Sequence, residues 1–354
     1  MICGMADVFT RSPLNPLVAP QGQWCKTYNP GAIIDAYSRV HLFPRAIDKS
    51  GNSSILHAIG RLGSTFCLSE QPVLSGASKE QVGFEDARMT QIGDRYYMCF
   101  AVNDGLDVDL HLAVSDAPSG PWHRCGLMLP NFRFSESGGM RVRRENGEWV
   151  KKTSPKGQDR RSKSGGLFSE LIGNEFCALF GEFQMWFATS KDGIAFSARP
   201  EPFLTAREGG AYFDNMFVEA GPPPILTDSG WLAFYHGVND KYQYQLGALL
   251  LDKSDPTKIL CRSDAPIFTP TAPYEITKGP IDVVPGALQS FLSEGGKGLA
   301  EFYRTMHNDP IVPSVVFVIG AVLSDGVVHL FYGASDYVVC TASAQLKAIL
   351  RTFN

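Results

Sequence analysis

The chain has no hydrophobic run long enough to cross a membrane, and it has no apolar leader. None of its segments approaches about 18 uninterrupted apolar residues, the length that a transmembrane helix needs. Near the start, Asp7 and Arg11 stand where a signal peptide would have its apolar core. Neither membrane insertion nor export is therefore predicted, and we expect a cytoplasmic protein without a membrane partner.

Metal-ligand and cofactor motifs are also absent from the sequence. The eight cysteines are scattered, without CxxC pairs or the Cys/His spacing of a zinc site. The chain has neither a glycine-rich nucleotide-binding motif nor the Gly-x-Ser-x-Gly elbow of a serine hydrolase. We therefore expect free thiols, no metal site and no cofactor.

The chain has no excess of positive charge. Its net charge is -4 and its pI is about 6.0, so no general basic field attracts nucleic acid or an anionic membrane. A single basic cluster, at 141–163, is interrupted by Glu145 and Glu148 and is rich in Gly, Ser and Lys. This composition indicates a mobile loop, with phosphate or nucleic-acid contact as the lesser alternative.

Helical periodicity is nearly absent, and short apolar strands recur instead. Five of them end in a polar or charged residue, and each is followed by a second apolar segment. The five strands are 40–45, 96–104, 176–182, 231–236 and 328–336, and their partners are 54–59, 110–115, 185–190, 245–251 and 338–344. The 35 glycines and 23 prolines fit frequent turns between such strands.

This repeat predicts an all-β fold, a five-bladed β-propeller, with a sandwich or a barrel as the alternatives. We expect one domain over residues 1–354, with long loop inserts near 127–166 and 278–313. The inner strands of a propeller run along a central channel. The polar ends of the five strands would then meet at one mouth and form a single site.

The segment 83–90 carries two adjacent carboxylates and an arginine. Because neighbouring side chains of a strand point to opposite faces, we expect Asp86 and Arg88 on one face and Glu85 on the other. Such residues can act as an acid with an anion-binding partner, or they can form an ordinary ion pair. The motif by itself leaves both interpretations open.

A set of short motifs gives this segment a context. In chain order they are RSPLNP at 11–16, NPGA at 29–32, EDAR at 85–88, AGPPPI at 220–225, GWL at 230–232, YHG at 235–237, GALLLD at 247–252 and YGASD at 332–336. Together they resemble glycoside hydrolase family 130, whose members are five-bladed propellers that act on β-mannosides. The resemblance extends from about Arg11 to Ala344 and implies a manno-oligosaccharide substrate.

The resemblance also implies roles for individual residues. Most members of the family are phosphorylases that cleave a β-mannosidic bond with inorganic phosphate and invert the anomeric centre. Asp86 would be the general acid, acting through a hydroxyl group of the bound mannose. Arg45 and Arg88 would contact sugar or phosphate, Asn29 and Asp336 would hold the terminal mannose, and His236 matches a phosphate ligand.

The chain departs from the phosphorylases at two positions. Gly181 and Glu182 stand where those enzymes have an arginine, and Phe217 stands where they have a lysine, with Glu219 two residues further on. A phosphate dianion needs convergent cations, so a glutamate in place of an arginine costs on the order of several kcal/mol in a partly desolvated cleft. An inverting glycosidase needs instead a carboxylate that activates water.

We therefore favour an inverting, exo-acting β-mannosidase with Asp86, Glu182 and Glu219 at the bond, as in the hydrolytic branch that the family has for β-1,2-linked mannosides. Two alternatives stay open. One is a phosphorylase that recruits cations from the basic cluster, and the other is a non-catalytic sugar-binding propeller.

Tyr212 and Phe213 are further candidates for stacking on sugar rings. A homo-oligomer also stays open. The cations available for recruitment are Lys151, Lys152, Arg160, Arg161 and Lys163.

Overall fold

The computed structural model describes residues 7–75, 83–103, 108–145, 148–153, 161–276 and 314–353, with only the backbone described for 140–145 and 148–153. Its described part is all-β apart from short helical segments, as the sequence predicts. These segments are α1 (Pro273–Ile276), α2 (Leu346–Leu350) and a 3-10 turn (Arg351–Phe353). No helix within the described ranges is long and apolar enough to span a membrane.

The strand β1 (Thr10–Arg11) precedes antiparallel groups of strands that follow one another along the chain. The first group contains β2 (Trp24–Ile34), β3 (Val40–Asp48), β4 (Ser53–Ile55), β5 (Ala58–Gly60), β6 (Cys67–Leu68) and β7 (Leu74–Ser75). The second contains β8 (Gly83–Ile92), β9 (Arg95–Asn103), β10 (Val108–Ser115) and β11 (His123–Leu127). A parallel pairing of Ser53 with Gly83 joins the two groups into one ten-stranded sheet.

The remaining groups have the same antiparallel order. The hairpin of β12 (Met140–Glu145) and β13 (Glu148–Thr153) lies within the expected insert at 127–166, whereas the expected insert at 278–313 lies outside the described residues. The third group contains β14 (Gly165–Leu167), β15 (Phe176–Phe180), β16 (Trp186–Ser190) and β17 (Ser197–Ala198). The fourth contains β18 (Phe217–Ala220), β19 (Ile225–Thr227), β20 (Gly230–Val238), β21 (Tyr244–Leu251) and β22 (Ile259–Arg262). The last contains β23 (Val316–Ser324), β24 (Val327–Ala334) and β25 (Val338–Gln345).

The five apolar strands read from the sequence are all present, as β3, β9, β15, β20 and β24. Each of them is paired with the first long strand or the first strand of its group, and these earlier strands are β2, β8, β14, β18 and β23. The sequence pattern did not single out the preceding strands as a set. They are the strands that carry or adjoin most of the site residues described below.

Apolar side chains pack between consecutive groups of strands. Each of five hydrophobic clusters contains residues from two consecutive groups: Phe43 and Phe100, Leu112 and Trp186, Phe187 and Trp231, Leu246 and Tyr332, and Val339 and Leu42. The last pair connects the final group to the first. Burial of each such side chain contributes about 1.5–3 kcal/mol, so the contacts between groups hold the strands in register around the site.

The N-terminal strand completes the last group. Thr10 and Arg11 pair with Ser343 and Ala342 in β25. The Arg11 guanidinium also donates to Glu275 at 2.8 and 2.7 Å. The first residue of the RSPLNP motif therefore fixes the start of the chain to its end.

Candidate active site

One cavity of about 100 Å³ collects most of the residues that the sequence singled out. The predicted residues that line it are Asn29, Arg45, Asp86, Glu182, Glu219 and Asp336. The other lining residues are Tyr28, Lys163, Tyr244, Val315 and Phe317. Asp86 and Glu182 therefore face the same space, as a shared role in chemistry requires.

Two of the lining residues that lie within strands have a left-handed backbone conformation. The φ angle is 45° at Asn29 in β2 and 54° at Asp86 in β8, a region that costs a non-glycine residue on the order of 1–3 kcal/mol. Each residue lies at a bulge where its strand shifts register against the neighbouring strand. Bulges of this kind redirect side chains, and here they direct an amide and a carboxylate into the cavity.

The bulge at Asp86 corrects the alternation that the sequence pattern predicts. Arg45 lies 3.0 Å from Glu85 and 3.7 Å from Asp86, and Lys163 lies 3.7 Å from both carboxylates. Glu85 and Asp86 thus turn toward the same cations, whereas Arg88 turns away from them. The prediction that Asp86 shares its face with Arg88 is wrong, because the left-handed residue breaks the two-residue period of the strand.

Two glycines make this close packing possible. A Cβ atom added at Gly31 would overlap the carbonyl oxygen of Ala87, and one added at Gly333 would overlap Asn29 Oδ1. Only a residue without a side chain fits such approaches. The glycines of the NPGA and YGASD motifs are therefore required by contacts between separate strand groups.

Asp86 is held as a carboxylate. It is 1% exposed, and Asn29 Nδ2 donates a hydrogen bond to its Oδ1 at 3.0 Å. Burial raises the pKa of Asp86, but Lys163, Arg45, Arg88 and the Asn29 hydrogen bond together lower it below its usual value. Asp86 is consequently ionised at neutral pH.

The pKa values of the two glutamates in the cavity are shifted in opposite directions. Arg161 Nε donates a hydrogen bond to Glu182 Oε2 at 2.9 Å, and Arg161 Nη2 donates to the same oxygen. Burial raises the pKa of Glu182, but Arg161 and Lys163 outweigh it and lower the pKa. Glu219 accepts a hydrogen bond from the Ser164 hydroxyl, and burial followed by the charge of Glu182 raises its pKa to about 8. At neutral pH Glu182 is ionised and Glu219 is mostly protonated.

Asp336 adds a fourth carboxyl group to the cavity wall. Its φ angle of 52° places it in the left-handed region directly after β24. Burial raises the pKa of Asp336, Lys26 opposes this effect, and the charge of Asp86 adds to it. Lys26 is itself 4% exposed, and burial lowers its pKa to about 8.

Arg88 does not line the cavity, which corrects its expected role in contacting sugar or phosphate. It is 1% exposed, and its guanidinium donates to three backbone carbonyls. The acceptors are Gly221 at 2.9 Å, Ala220 at 2.9 Å and Asp86 at 3.0 Å. With these bonds Arg88 ties β8 to the end of β18, so it supports the site from behind.

His236 is also placed behind the cavity wall. Its ring stacks on Phe317 with centroids 4.2 Å apart, and its Nε2 accepts a hydrogen bond from the Val318 amide at 2.8 Å. Burial, followed by the charge of Arg88, lowers the pKa of His236 to about 3. His236 is not among the residues that line the cavity, and Phe317 covers its ring, so its match to a phosphate ligand stays a prediction.

Tyr212 and Phe213 lie around a separate group of charges rather than at the cavity. The Arg207 guanidinium lies 4.3 Å from the Tyr212 ring and 5.3 Å from the Phe213 ring. Arg207 belongs to what we call the Asp214 cluster, which consists of Asp214, Arg207, Arg262 and Tyr235. The stacking role expected for the two aromatic residues is corrected, because they pack on a structural arginine.

Lys163 is the lining residue whose importance the sequence did not indicate. It lay in a basic segment interpreted as a loop and entered only as one of five cations in the phosphorylase alternative. Tyr244 and Phe317 were also missed: Tyr244 directly precedes the segment 245–251 that was predicted as a partner strand, and Phe317 lies in β23, which the sequence pattern did not single out. Within the described part of the chain, no group of His, Cys, Asp or Glu is arranged to hold a metal ion, and the cysteines form no disulfide.

Comparison with known proteins adds a sequence relationship to this geometry. The family model Glyco_hydro_130, beta-1,4-mannooligosaccharide phosphorylase, matches residues 14–289. The 1,2-beta-oligomannan phosphorylase of Thermoanaerobacter sp. (strain X514) is 26% identical over 349 residues, which cover 94% of this chain and 96% of the relative. The chain therefore matches both along most of its length.

Solved structures match the fold along nearly the whole chain. The beta-1,2-mannobiose phosphorylase from Listeria innocua, in complex with beta-1,2-mannobiose, superposes with a TM-score of 0.72 at 23% identity and covers 98% of this chain and 99% of its own. A structure from work on GH130 glycoside hydrolases that target beta-1,2 mannosidic linkages in Candida mannan gives a TM-score of 0.73 at 21% identity, with coverage of 98% and 96%. At these identities the likeness shows a shared fold.

Proposed function

The chain belongs to glycoside hydrolase family 130, and we propose that it is an inverting, exo-acting β-mannosidase that releases mannose from β-1,2-linked manno-oligosaccharides. Water is the nucleophile in this proposal. The antiparallel groups that pack in chain order, with the last against the first, support a five-bladed propeller whose channel mouth holds the cavity.

The charge of the cavity wall carries the proposal. Its four carboxyl groups belong to Asp86, Glu182, Glu219 and Asp336, and its two cations to Arg45 and Lys163. Both cations lie within 3.7 Å of carboxylates, so their charge is largely compensated before any ligand enters. A phosphate dianion would enter against this negative wall without the convergent donors that it needs. A neutral sugar and a water molecule meet no such barrier.

The three candidate catalytic carboxyls supply the states that inversion requires. Glu182 is ionised and serves as the base that activates water. Glu219 holds a proton at neutral pH and serves as the source of the proton for the leaving oxygen. Asp86 is ionised and directs a mannose hydroxyl toward that oxygen, so that the proton reaches it along a hydrogen-bonded path.

Neutral polar groups and aromatic rings suit the sugar itself. Asn29 Oδ1 is buried and has no hydrogen-bond partner among the described residues, so it accepts a hydroxyl of the terminal mannose in this proposal. Asp336 accepts another. Tyr28 and Tyr244 line the same cavity and offer apolar ring surface. The β-1,2 linkage is proposed from the substrates in the names of the related proteins.

Phosphorolysis is the second candidate, and a specific observation favours it. Lys163 lines the cavity and Arg161 lies directly behind Glu182, so two members of the basic cluster do reach the site. The Thermoanaerobacter relative and the Listeria innocua structure compared above are also phosphorylases. Because the matched family and these relatives are enzymes that act on mannosides, we do not carry the non-catalytic sugar-binding propeller further.

A product assay separates the two reactions. The protein is incubated with β-1,2-mannobiose in phosphate-free buffer and in phosphate buffer, and early products are followed by proton NMR. We expect mannose at equal rates in both buffers, appearing first as the α-anomer. Mannose 1-phosphate as the main product in phosphate would overturn hydrolysis, and β-mannose as the first product would overturn inversion. β-1,4-Mannobiose is the control for linkage.

A further inference from the structure

Lys163 occupies a central position among the carboxyl groups of the cavity. Its ammonium lies 3.7 Å from Glu85 Oε2 and 3.7 Å from Asp86 Oδ2. It also faces Glu182 and Glu219, whose charges act on it. Burial lowers the pKa of Lys163, but these carboxylates outweigh burial and raise the pKa above its usual value. Lys163 is therefore a fixed positive charge over the whole physiological pH range.

The backbone explains how a lysine and the following serine both reach the site. Ser164 has a φ angle of 59°, and the Gly181 amide lies within hydrogen-bonding distance of two successive carbonyls, Lys163 O at 3.1 Å and Ser164 O at 2.7 Å. This bulge before β14 interrupts the strand alternation, so the adjacent side chains of Lys163 and Ser164 need not point to opposite faces. The Lys163 ammonium thus reaches Asp86 while the Ser164 hydroxyl reaches Glu219.

The other cation on Asp86 is committed elsewhere. Arg45 donates to Ser53 Oγ at 2.8 Å, and its closest carboxylate is Glu85 at 3.0 Å, whereas Asp86 is 3.7 Å away. Arg161 is committed to Glu182. Lys163 is the cation whose charge acts on Asp86, Glu182 and Glu219 together.

We propose that Lys163 is a positioning residue that decides which carboxyl group of the cavity holds the proton. Its ammonium keeps Asp86 and Glu182 ionised, and the single proton remains on Glu219, beside Ser164. The inference rests on the proposed function in that these three carboxyls are the reacting groups. The inference adds that Lys163, which lies between these carboxyls, determines which of them acts as the acid and which as the base.

The titratable and charged side chains around Lys163 and the three carboxyl groups come from all the described elements that pack against them. They are Lys26 and Tyr28 from β2, Arg45 from β3, Glu85, Asp86 and Arg88 from β8, Arg161 before Lys163, Glu182 after β15, Glu219 from β18, His236 from β20, Tyr242 and Tyr244 at the start of β21, and Asp336 after β24. Lys163→Met and Lys163→Gln remove the charge of Lys163 and leave all of these groups in place.

The test compares the pH dependence of kcat/KM on β-1,2-mannobiose for the wild type, Lys163→Met, Lys163→Gln, Lys163→Arg and Lys258→Met. The last variant removes a lysine from an exposed ion pair with Asp255 and is the matched control. Loss of the Lys163 charge should move the acidic limb of the profile to higher pH by about one unit or more, a tenfold change in proton affinity. Lys163→Arg should restore the limb, and Lys258→Met should not move it.

A second measurement does not depend on the reaction. Side-chain carboxyl carbons are titrated by 13C NMR in the free protein and assigned with Asp86→Asn, Glu182→Gln and Glu219→Gln. In Lys163→Met the carboxyls of Asp86 and Glu182 should titrate at higher pH than in the wild type. This result can be obtained even if the protein proves to be a phosphorylase, so failure of the proposed function and failure of this inference are distinguishable.

Two outcomes would overturn the inference. A Lys163→Met variant that loses kcat while its acidic limb and its carboxyl titrations stay unchanged would show that Lys163 only supports the structure. A variant that changes only the KM for phosphate would assign Lys163 to anion binding. Lys163→Gln serves for both measurements if the methionine variant does not fold.

Discussion

Two of the regions that contain buried carboxylates, the Asp214 cluster and the cavity, differ in how closely cations approach those carboxylates. In the Asp214 cluster, Asp214 accepts from Arg207 at 2.8 Å, from Arg262 at 2.6 Å and from the Tyr235 hydroxyl at 2.7 Å. In the cavity, Asp86 meets its cations only at 3.7 Å. Asp214 is not among the residues that line the cavity, whereas Asp86 is.

The difference separates a structural charge network from a chemical one. A buried carboxylate with every acceptor site filled by short charge-assisted bonds is rigid and holds its surroundings in place. A cavity in which carboxyls outnumber cations keeps the capacity to bind hydroxyl groups and to exchange protons. Both regions contain aspartate and arginine, so composition does not distinguish them, but bond length and access do.

The largest effect should follow substitution of a cavity carboxylate. We expect Asp86→Asn and Glu182→Gln each to lower kcat by about 10²–10⁴-fold, because each removes a group that handles a proton in the transition state. Thermal melts should show that both variants remain folded. Asp255→Asn, in an exposed ion pair, is the control, and a loss below tenfold for either cavity variant would remove that residue from the chemistry.

Substitution in the Asp214 cluster should lower stability and leave kcat nearly unchanged, the reverse of the effect expected in the cavity. Asp214→Asn leaves the partly buried Arg207 and Arg262 without their shared buried anion, and we expect the free energy of unfolding to fall by up to about 3–5 kcal/mol. Urea denaturation at pH 7 measures this change. The folded fraction should keep its kcat within about twofold, and a specific loss of kcat would mean that the two regions are coupled.

Glu219 should make stability depend on pH. Its folded pKa of about 8 exceeds its usual 4.5, so its contribution to stability is complete below about pH 4.5 and is lost as the pH rises to 8. Glu219→Gln cannot ionise. The difference in unfolding free energy, variant minus wild type, should therefore rise between pH 5 and pH 8 by up to a few kcal/mol.

Urea denaturation of both proteins at several pH values measures this difference. Glu175→Gln replaces a half-buried glutamate directly before β15 and provides the comparison, and the rise for Glu219→Gln should exceed any change for this variant. A flat difference for Glu219→Gln would contradict the protonated state that we assign to Glu219 at neutral pH.

The smallest effect should follow Tyr212→Ala. Tyr212 is 39% exposed and packs on Arg207, a contact worth about 0.5–1 kcal/mol at an exposed site. We expect kcat/KM on β-1,2-mannobiose to stay within about twofold. A tenfold rise in KM would return Tyr212 to the substrate site and weaken the separation of the two regions.

Much of the fold could be read from local patterns in the sequence. The five apolar strands with polar ends were visible because burial on both faces leaves continuous apolar runs, as in Gly230–Val238. The strands that precede them, such as β18 (Phe217–Ala220), were less visible. They are short or mixed in polarity, and their polar residues line a cavity instead of following a surface pattern.

The site could be predicted only in part for the same physical reason. Asp86, Glu182 and Glu219 were found through a motif and through departures from that motif. Lys163 was not, because its segment has the composition of a loop and the bulge at Ser164 is invisible in composition. The position of His236 behind Phe317 could not be predicted either, because a histidine at a strand end has the same local pattern whether or not an aromatic ring covers it.

The sequence by itself determined the all-β class, the recurring strands and the identity of the carboxyl groups, because these depend on local composition and on ordered motifs. Only the tertiary structure decided which charges meet. Asp86 comes from the second strand group, Lys163 and Glu182 from the third, and Glu219 from the fourth. The left-handed residues Asp86 and Ser164 break the strand alternation at their bulges. Proton affinity depends on distance and burial, so the division between ionised and protonated carboxyls arises only when the groups are packed together.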